Sequence, residues 1–244
     1  MLSKNQIKLI KSLGQKKHRQ QEELFIVEGI KGINEFLNSE FELDQLYTTQ
    51  PIFEIADNKV VFINENQLKR ISSLKNPNTA LAIFKIPESK PPVESDLTVV
   101  LDDVRDPGNL GTIIRLCDWY GIRQIICSTN TVDCFNQKVV QATMGSLTRV
   151  NIYYTDLRDF LKSTDLEVLG TFMNGENIYT AKLPEKGLII LGNEANGISI
   201  GIEELIDRKI TIPQFGDLKN TESLNVANAT AIVLSEFKRR FIEK

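Results

Sequence analysis

The sequence predicts an α/β protein with two domains, and three observations support this fold class. Hydrophobic segments of strand length alternate with amphipathic segments of helix length, which is typical of a parallel sheet covered by helices. The runs LTVVL (97–101), QIIC (124–127) and LIIL (188–191) are nearly unbroken apolar stretches, as buried parallel strands are. Residues 87–96, PESKPPVESD, contain three prolines and no periodicity, so they predict a linker between domains at 1–86 and 97–244.

The first domain is predicted to be a small α/β unit. Residues 1–13 have an amphipathic pattern that ends at Gly14, and ELFIVEG (23–29) has the composition of a strand. Asn64 followed by Gln67 is typical of a capping box at the start of a helix. The predicted strands are 23–29, 43–49, 59–63 and 79–86. The predicted helices are 1–13, 29–39 and 64–74.

The second domain is predicted to alternate strands and helices more regularly. Pro107 and Gly108 end the first strand, and Asn109 then occupies the position expected of a helix N-cap. The predicted strands are 97–103, 123–128, 149–154, 167–173, 187–192 and 208–212. The predicted helices are 109–120, 136–147, 156–164, 202–208 and 223–241.

Composition excludes several functional classes. The 244 residues contain no apolar run near the ~18 residues of a membrane span, and the first residues lack the apolar core of a signal peptide, so we expect a cytoplasmic protein. The single histidine argues against a Ser-His-Asp triad or a histidine-rich metal site. Three cysteines without C-x-x-C spacing predict buried thiols rather than disulfides or zinc ligands, and we expect no metal.

Charge is distributed unevenly along the chain. The net charge is −3, yet residues 1–20 contain six bases and no acid. Such a basic segment could contact nucleic-acid phosphates. It could equally be the solvated face of an amphipathic helix, and charge alone leaves both interpretations open.

Three loops at predicted strand ends contain the candidate chemical groups. The first contains Asn109 and Arg115, although a surface pair of Arg115 with Asp118 would explain the arginine equally well. The second contains Gly192 and Glu194, and Glu194 could simply cap the next helix. No P-loop or G-x-G-x-x-G fingerprint follows any strand. The third loop ends at Ser223 and Asn225, which we expect in the first turn of the final helix.

Taken together, these loops resemble the three motifs of the SpoU family of RNA ribose 2′-O-methyltransferases, which belongs to the SPOUT superfamily. The matching segments are NLGTIIR (109–115), LGNEANGI (191–198) and IP…SLNVANA (212–229), in the family's order and spacing. The segment 136–145 also resembles a recurrent family segment, although Gln141 replaces a usually basic residue. Residues 1–86 look like the small ribosomal-protein-like domain that precedes the catalytic domain and binds the RNA substrate.

The resemblance implies a deep trefoil knot in the C-terminal α/β domain and a homodimer assembled through it, with the final helix as our candidate interface. It implies S-adenosylmethionine as the cofactor and RNA as the partner, ribosomal RNA before transfer RNA. The implied cofactor-binding residues are Thr171, Gly192, Glu194, Ile212 and Leu224. The implied catalytic residues are Arg115, Asn109, Glu194, Ser223 and Asn225.

Other functions remain open from the sequence. A non-catalytic RNA-binding or ribosome-assembly factor could use the same fold. A nicotinamide-dependent oxidoreductase would share the alternating α/β pattern, although the missing glycine fingerprint argues against it.

Overall fold

A computed structural model of the chain describes residues 2–93, 97–216 and 223–240. The strands in this part of the chain are β1 (Leu24–Glu28), β2 (Leu43–Thr48), β3 (Val60–Phe62), β4 (Ala80–Lys85), β5 (Leu97–Leu101), β6 (Gln124–Ser128), β7 (Asn151–Thr155), β8 (Val168–Asn177), β9 (Gly187–Leu191) and β10 (Arg208–Thr211). The α-helices are α1 (Lys4–Ser12), α2 (Lys16–Glu22), α3 (Ile30–Leu37), α4 (Glu65–Ile71), α5 (Pro107–Trp119), α6 (Gln137–Thr143), α7 (Leu157–Lys162), α8 (Ile200–Glu203) and α9 (Val226–Arg239). They form two compact units.

The first unit contains a sheet with the strand order β1-β4-β2-β3, in which only the β2–β3 pair is parallel. The capping box of Asn64 and Gln67 is confirmed, because each side chain accepts a hydrogen bond from the other residue's backbone N–H. The helix α2 was not expected from the sequence. It follows α1, which packs in this unit through the fully buried Ile10. The basic N-terminal residues therefore lie on α1 and α2.

A segment that is distant in sequence also packs in the first unit. Residues 133–148, which the sequence places inside the second domain, belong to this unit together with residues 1–88. The side chain of Arg19, only 2% exposed, donates from Nε to Asp133 Oδ2 at 2.9 Å and from Nη1 to the Leu13 carbonyl at 2.9 Å. The ring of Phe135 packs against that of Phe25 in a tilted arrangement, with 4.7 Å between ring centroids. The ion pair and the aromatic contact together anchor the segment.

The second unit contains residues 89–132 and 149–244. Its described strands form a six-stranded, entirely parallel sheet in the order β10-β8-β9-β5-β6-β7. The apolar runs of β5 and β9 pair from Leu97–Gly187 to Leu101–Leu191 and are fully buried. The predicted α/β class and parallel sheet are therefore confirmed. Residue 93, near the end of the predicted linker, is held to this unit by hydrogen bonds between its backbone and Gln124.

Three helix starts in this unit differ from the sequence prediction by two or more residues. The helix predicted at 202–208 is the short α8, which begins at Ile200 and ends at Glu203. The prediction that Asn109 caps α5 was wrong, because the N-cap is Asp106, whose side chain accepts a hydrogen bond from the Asn109 N–H at 2.8 Å. Pro107 is the first helical residue, where its fixed φ and missing donor are tolerated. The final helix begins at Val226 and not near Ser223, and Asn225 is its N-cap. Residue 241, the expected end of this helix, lies outside the described residues.

The three cysteines are free and buried, as predicted. Within the described residues, no helix is long and apolar enough to cross a membrane. In the same part of the chain, no group of three or more His, Cys, Asp or Glu side chains could hold a metal ion.

Replacing Arg19 by methionine is expected to lower the free energy of unfolding by about 3–5 kcal/mol, because it leaves the carboxylate of Asp133 unpaired at a site that is 14% exposed. The double variant Arg19→Met/Asp133→Leu should recover part of this loss, since it removes both charges. Calorimetric unfolding of the three proteins measures the effect. A loss below about 1 kcal/mol in Arg19→Met would show that the pair behaves like a solvated surface pair.

Candidate active site

The sheet order of the second unit brings the ends of its central strands together. Strand β9 lies between β8 and β5 and pairs in parallel with both. In parallel strands the carboxyl ends share one edge, which is where open α/β sheets bind ligands. The loop from β5 to α5 and the loop after β9 therefore emerge side by side at this edge, and α9 packs against α5.

Three side chains join these loops by hydrogen bonds. Asn225 Nδ2 donates to Asn109 Oδ1 at 2.9 Å, and Asn109 Nδ2 donates to Glu194 Oε1 at 2.9 Å. We call this series the Asn225–Asn109–Glu194 relay. It links the residue before α9, the first turns of α5 and the loop after β9, which are separated by as many as 116 positions in sequence. The relay fixes three predicted catalytic residues relative to one another.

Asn225 has two structural tasks. Its Oδ1 accepts hydrogen bonds from the backbone N–H groups of Ala227 and Asn228 at 2.9 and 3.3 Å, and so it caps α9. Its Nδ2 group is thereby directed to Asn109. Because an asparagine side chain has both an acceptor and a donor end, one residue can cap the helix and connect it to the neighbouring loop.

The loop after β9 is held by its own backbone and by the first loop. Asn193 and Gly197 exchange backbone hydrogen bonds of 2.9 Å in both directions, and Asn193 Nδ2 donates to the Asp103 carbonyl at 2.7 Å. The buried carboxylate of Asp102 accepts a hydrogen bond from the Ser199 N–H at 2.8 Å. A Cβ atom at Gly192 would overlap the backbone of Gly197 and Ile198. The close approach of the backbone therefore requires glycine at position 192.

A cavity of about 1400 Å³ opens beside this loop. Its walls include all five residues that were predicted to bind the cofactor, namely Thr171, Gly192, Glu194, Ile212 and Leu224, and also Ser223. Thr171 donates from Oγ1 to the Ile190 carbonyl at 3.1 Å, so its side chain is fixed to β9. The lining residues do not include Asn109, Arg115 or Asn225. Asn109 is hydrogen-bonded to the lining residue Glu194, and Asn225 is hydrogen-bonded to Asn109.

Sequence reasoning missed a further part of this cavity. The pairing of β10 with β8 shifts register between Lys209, which pairs with Gly170, and Ile210, which pairs with Glu176. The intervening residues of β8 leave the ladder, and Phe172 and Met173 line the cavity. A glycine on each side of this stretch was the available signal. A Cβ atom at Gly175 would overlap the backbone of β10, and one at Gly170 would displace neighbouring side chains. Phe215, 82% exposed, is a further lining residue that the motifs did not indicate.

Arg115 is exposed on α5, and its guanidinium has no hydrogen-bond or ion-pair partner among the described residues. The surface pair with Asp118 that the sequence allowed is not formed, because Asp118 pairs instead with Arg149, whose Nε lies 2.9 Å from Asp118 Oδ2. Arg115 therefore keeps five N–H donors for a ligand. The guanidinium of Arg105, by contrast, is engaged by Asp103, and this hydrogen bond raises the pKa of Arg105.

Two substitutions at Asn225 separate capping from the relay. Asn225→Asp keeps the capping acceptor and loses the donor, so its free energy of unfolding should stay within about 0.5 kcal/mol of the wild type. Asn225→Ala loses both and should be destabilised by about 1 kcal/mol. In both variants the backbone amides of residues 193–197 should exchange hydrogen faster, as measured by mass spectrometry. Unchanged exchange in Asn225→Asp would contradict the structural importance of the relay.

Comparison with known proteins identifies relatives of both units. Residues 96–235 match the model of the SpoU rRNA Methylase family, and residues 4–82 match that of the MRM3-like substrate binding domain. The chain is 29% identical over 241 residues to the 23S rRNA (guanosine(2553)-2′-O)-methyltransferase RlmP of Bacillus subtilis. The aligned residues cover 95% of this chain and 96% of that protein.

Solved structures agree with the sequence matches. A protein of Porphyromonas gingivalis assigned to the TrmH family of RNA methyltransferases superposes with a TM-score of 0.90 and 40% identity, covering 98% of this chain and 99% of that one. The AdoMet-bound rRNA methyltransferase of Sinorhizobium meliloti gives a TM-score of 0.86 and 31% identity, with coverage of 98% and 96%. Since the family model spans more than half of the residues, the chain belongs to the SpoU rRNA methylase family.

Proposed function

We propose that this protein is an enzyme that transfers a methyl group from S-adenosylmethionine to a ribose 2′-hydroxyl of ribosomal RNA. The observation that carries the proposal is the relay of Asn225, Asn109 and Glu194 beside a large cavity, in a chain of the SpoU family. The relative RlmP, which matches over nearly the whole chain, is named as a 2′-O-methyltransferase of 23S rRNA.

The size and lining of the cavity support S-adenosylmethionine binding. Its volume of about 1400 Å³ exceeds that of a typical small-ligand pocket, so it has room for a cofactor and part of a second molecule. Thr171, Ile212 and Leu224 would hold the cofactor, and Gly192 lets backbone approach it closely. Bound S-adenosylmethionine supplies an electrophilic methyl group on a sulfonium centre. Glu194, which also lines the cavity, connects it to the relay.

Arg115 and the relay would act on the RNA. Methyl transfer requires the 2′-oxygen to be aligned in line with the methyl carbon, so that the O–CH3 bond would form as the S–CH3 bond breaks. It also requires stabilisation of the charge that develops on this oxygen as its proton passes to solvent water. A guanidinium is a poor base because its pKa lies above about 12, but it binds phosphate well. We therefore assign to Arg115 the binding of the adjacent phosphate and the stabilisation of the developing alkoxide. Ser223, Asn225 and Asn109 would position the ribose.

Arg115→Ala should lower methyl transfer at least a hundredfold while leaving the affinity for S-adenosylmethionine unchanged, because Arg115 does not line the cavity. Arg115→Lys should recover only a small part, since an ammonium cannot form the same paired hydrogen bonds. Transfer of tritiated methyl groups to ribosomal RNA and calorimetry with S-adenosylmethionine measure the two effects. Full activity in Arg115→Ala would rule out the assigned role. Absent cofactor binding in the wild type would favour a non-catalytic RNA-binding factor.

Ribosomal RNA is the preferred substrate for two reasons. The relative that spans nearly the full length of the chain is named for 23S rRNA. The first unit matches a substrate-binding domain, which gives the enzyme a second surface for a large RNA. Transfer RNA is the second candidate, because the tRNA (guanosine(18)-2′-O)-methyltransferase of Aquifex aeolicus is 28% identical over 157 residues. We place the reaction in the cytoplasm, and we expect the C-terminal knot because it is a property of the family.

We further propose that the enzyme is a homodimer assembled through its second unit. From Val226 to Ser235, α9 contains no charged side chain, although its residues Asn228 and Ser235 are exposed and Ile232 is half-buried. A helix that faces solvent normally has charged residues on its outer side. The uncharged outer face is therefore suited to a second copy of the chain.

Ile232→Asp should shift the protein from twice its 27.6 kDa chain mass toward the monomer, because the new carboxylate would be buried in the interface. Phe62→Asp, at an exposed position of the first unit, is the matched control and should remain dimeric. Sedimentation equilibrium distinguishes the species. A wild-type monomer at micromolar concentration would contradict the proposal.

A further inference from the structure

An arginine outside the three motifs lies on the loop that supports the relay. Arg105 stands between the end of β5 and Asp106, the N-cap of α5, and its backbone N–H points to Glu194 Oε2 at 3.5 Å. Its side chain is 69% exposed. Arg105 thus has its backbone beside Glu194 of the relay and an exposed cationic side chain.

The guanidinium of Arg105 is held in one orientation. Its Nε donates to Asp103 Oδ1 at 2.8 Å and its Nη2 donates to Asp103 Oδ2 at 2.9 Å. This two-point contact uses two of the five N–H groups, and three remain for a ligand. Because the orientation is fixed before any ligand binds, less side-chain entropy is lost on binding.

Asp103 is itself fixed by the surrounding loops. Its backbone has a φ of +60°, in the left-handed region that non-glycine residues seldom adopt. Its N–H donates to Ser128 Oγ at 2.9 Å, and its carbonyl accepts from Asn193 Nδ2 at 2.7 Å. Ser128 Oγ lies 3.0 Å from Thr131 Oγ1, which anchors it in turn. An unfavourable backbone conformation that neighbouring loops maintain is a feature that clusters at functional sites.

A solvated surface pair does not explain this arrangement well. Exposed ion pairs contribute little to folding stability, and the left-handed backbone at Asp103 opposes that small contribution. The contact with Asp103 instead fixes the position of the Arg105 guanidinium. A planar group with several free donors matches the geometry of a phosphate.

We infer that Arg105 binds a backbone phosphate of the RNA substrate beside the methylated nucleotide and that Asp103 is the residue that positions it. The inference rests on the proposed function in that it requires an RNA ligand. It adds a phosphate contact that the family motifs do not include. In the sequence, Arg105 precedes Asn109 of the relay, whereas Arg115 follows it. It assigns no step of the methyl transfer to Arg105.

The test measures binding of protein-free ribosomal RNA, prepared from cells that lack the gene, as a function of salt concentration. Arg105→Ala should weaken binding about tenfold at low salt and reduce the slope of log affinity against log salt by about 0.7–1. The KM for RNA should rise with little change in kcat, and the affinity for S-adenosylmethionine should not change. Arg105→Lys should restore the salt slope without restoring the full affinity, since it keeps the charge and loses the two-point contact.

Asp103→Asn tests the positioning role, because asparagine tolerates the same backbone and lacks the charge. It should weaken RNA binding in the presence of Arg105 and have no further effect in Arg105→Ala. Arg158→Ala is the matched control, since Arg158 is an exposed arginine of the same unit paired with Glu204 at 3.5 Å. It should leave RNA binding unchanged.

Two outcomes would overturn part of the inference, and a third would overturn the proposed function alone. If Arg105→Ala lowers only the thermal stability and leaves affinity and salt slope unchanged, the pair is a structural contact. If Asp103→Asn tightens RNA binding, the carboxylate merely neutralises Arg105 and does not position it. A wild-type protein that binds RNA and S-adenosylmethionine but transfers no methyl group would contradict the proposed function while leaving the binding results for Arg105 intact.

Discussion

The hydrogen bond from Asn225 Nδ2 to Asn109 Oδ1 is the contact on which the candidate site depends. It brings the N-terminus of the final helix to the first turns of α5, and the other end of Asn109 then holds Glu194. The three side chains lie on three different parts of the fold, namely the residue before α9, the first turns of α5 and the loop after β9, so none of these parts forms the site by itself. Because Asn225 also caps α9, the position of the relay is tied to the start of that helix. Local helix capping and the long-range organisation of the site are therefore coupled through one side chain.

The parallel sheet explains why these loops can meet. Residues of β5 and β9 are neighbours in the sheet although about ninety positions separate them in sequence, and both strands are completely buried. Their apolar side chains fix the register, and the register places the polar loops at one edge. The cavity then forms where β8 leaves its ladder with β10 and where glycine permits close backbone approach at Gly192. The burial of apolar strand residues thus determines where the polar loop residues of the site lie.

Much of this organisation could be predicted from sequence, and the differences have identifiable physical causes. Unbroken apolar runs predicted the parallel strands, and the three motifs indicated the residues of the relay. The cap of α5 was misassigned because Pro107 was interpreted only as a strand breaker, whereas proline after aspartate is also a helix start signal. The packing of residues 133–148 with the first unit depends on the pairing of Arg19 with Asp133, 114 positions away, and no local pattern encodes such a partner. The register shift between β8 and β10 is a tertiary feature too, although Gly170 and Gly175 were a local signal for it.

The central claim is that the three loops joined by the relay form a site of ribose 2′-O-methylation. The most direct measurement is mass-spectrometric mapping of 2′-O-methyl nucleosides in ribosomal RNA from three strains, namely the parent, a gene deletion, and the deletion complemented with Arg115→Ala. We expect one methyl mark to be present in the parent and absent from both of the others, while the variant protein is produced at normal levels. A methylation map that is identical in the parent and the deletion, for ribosomal and transfer RNA alike, would contradict the claim.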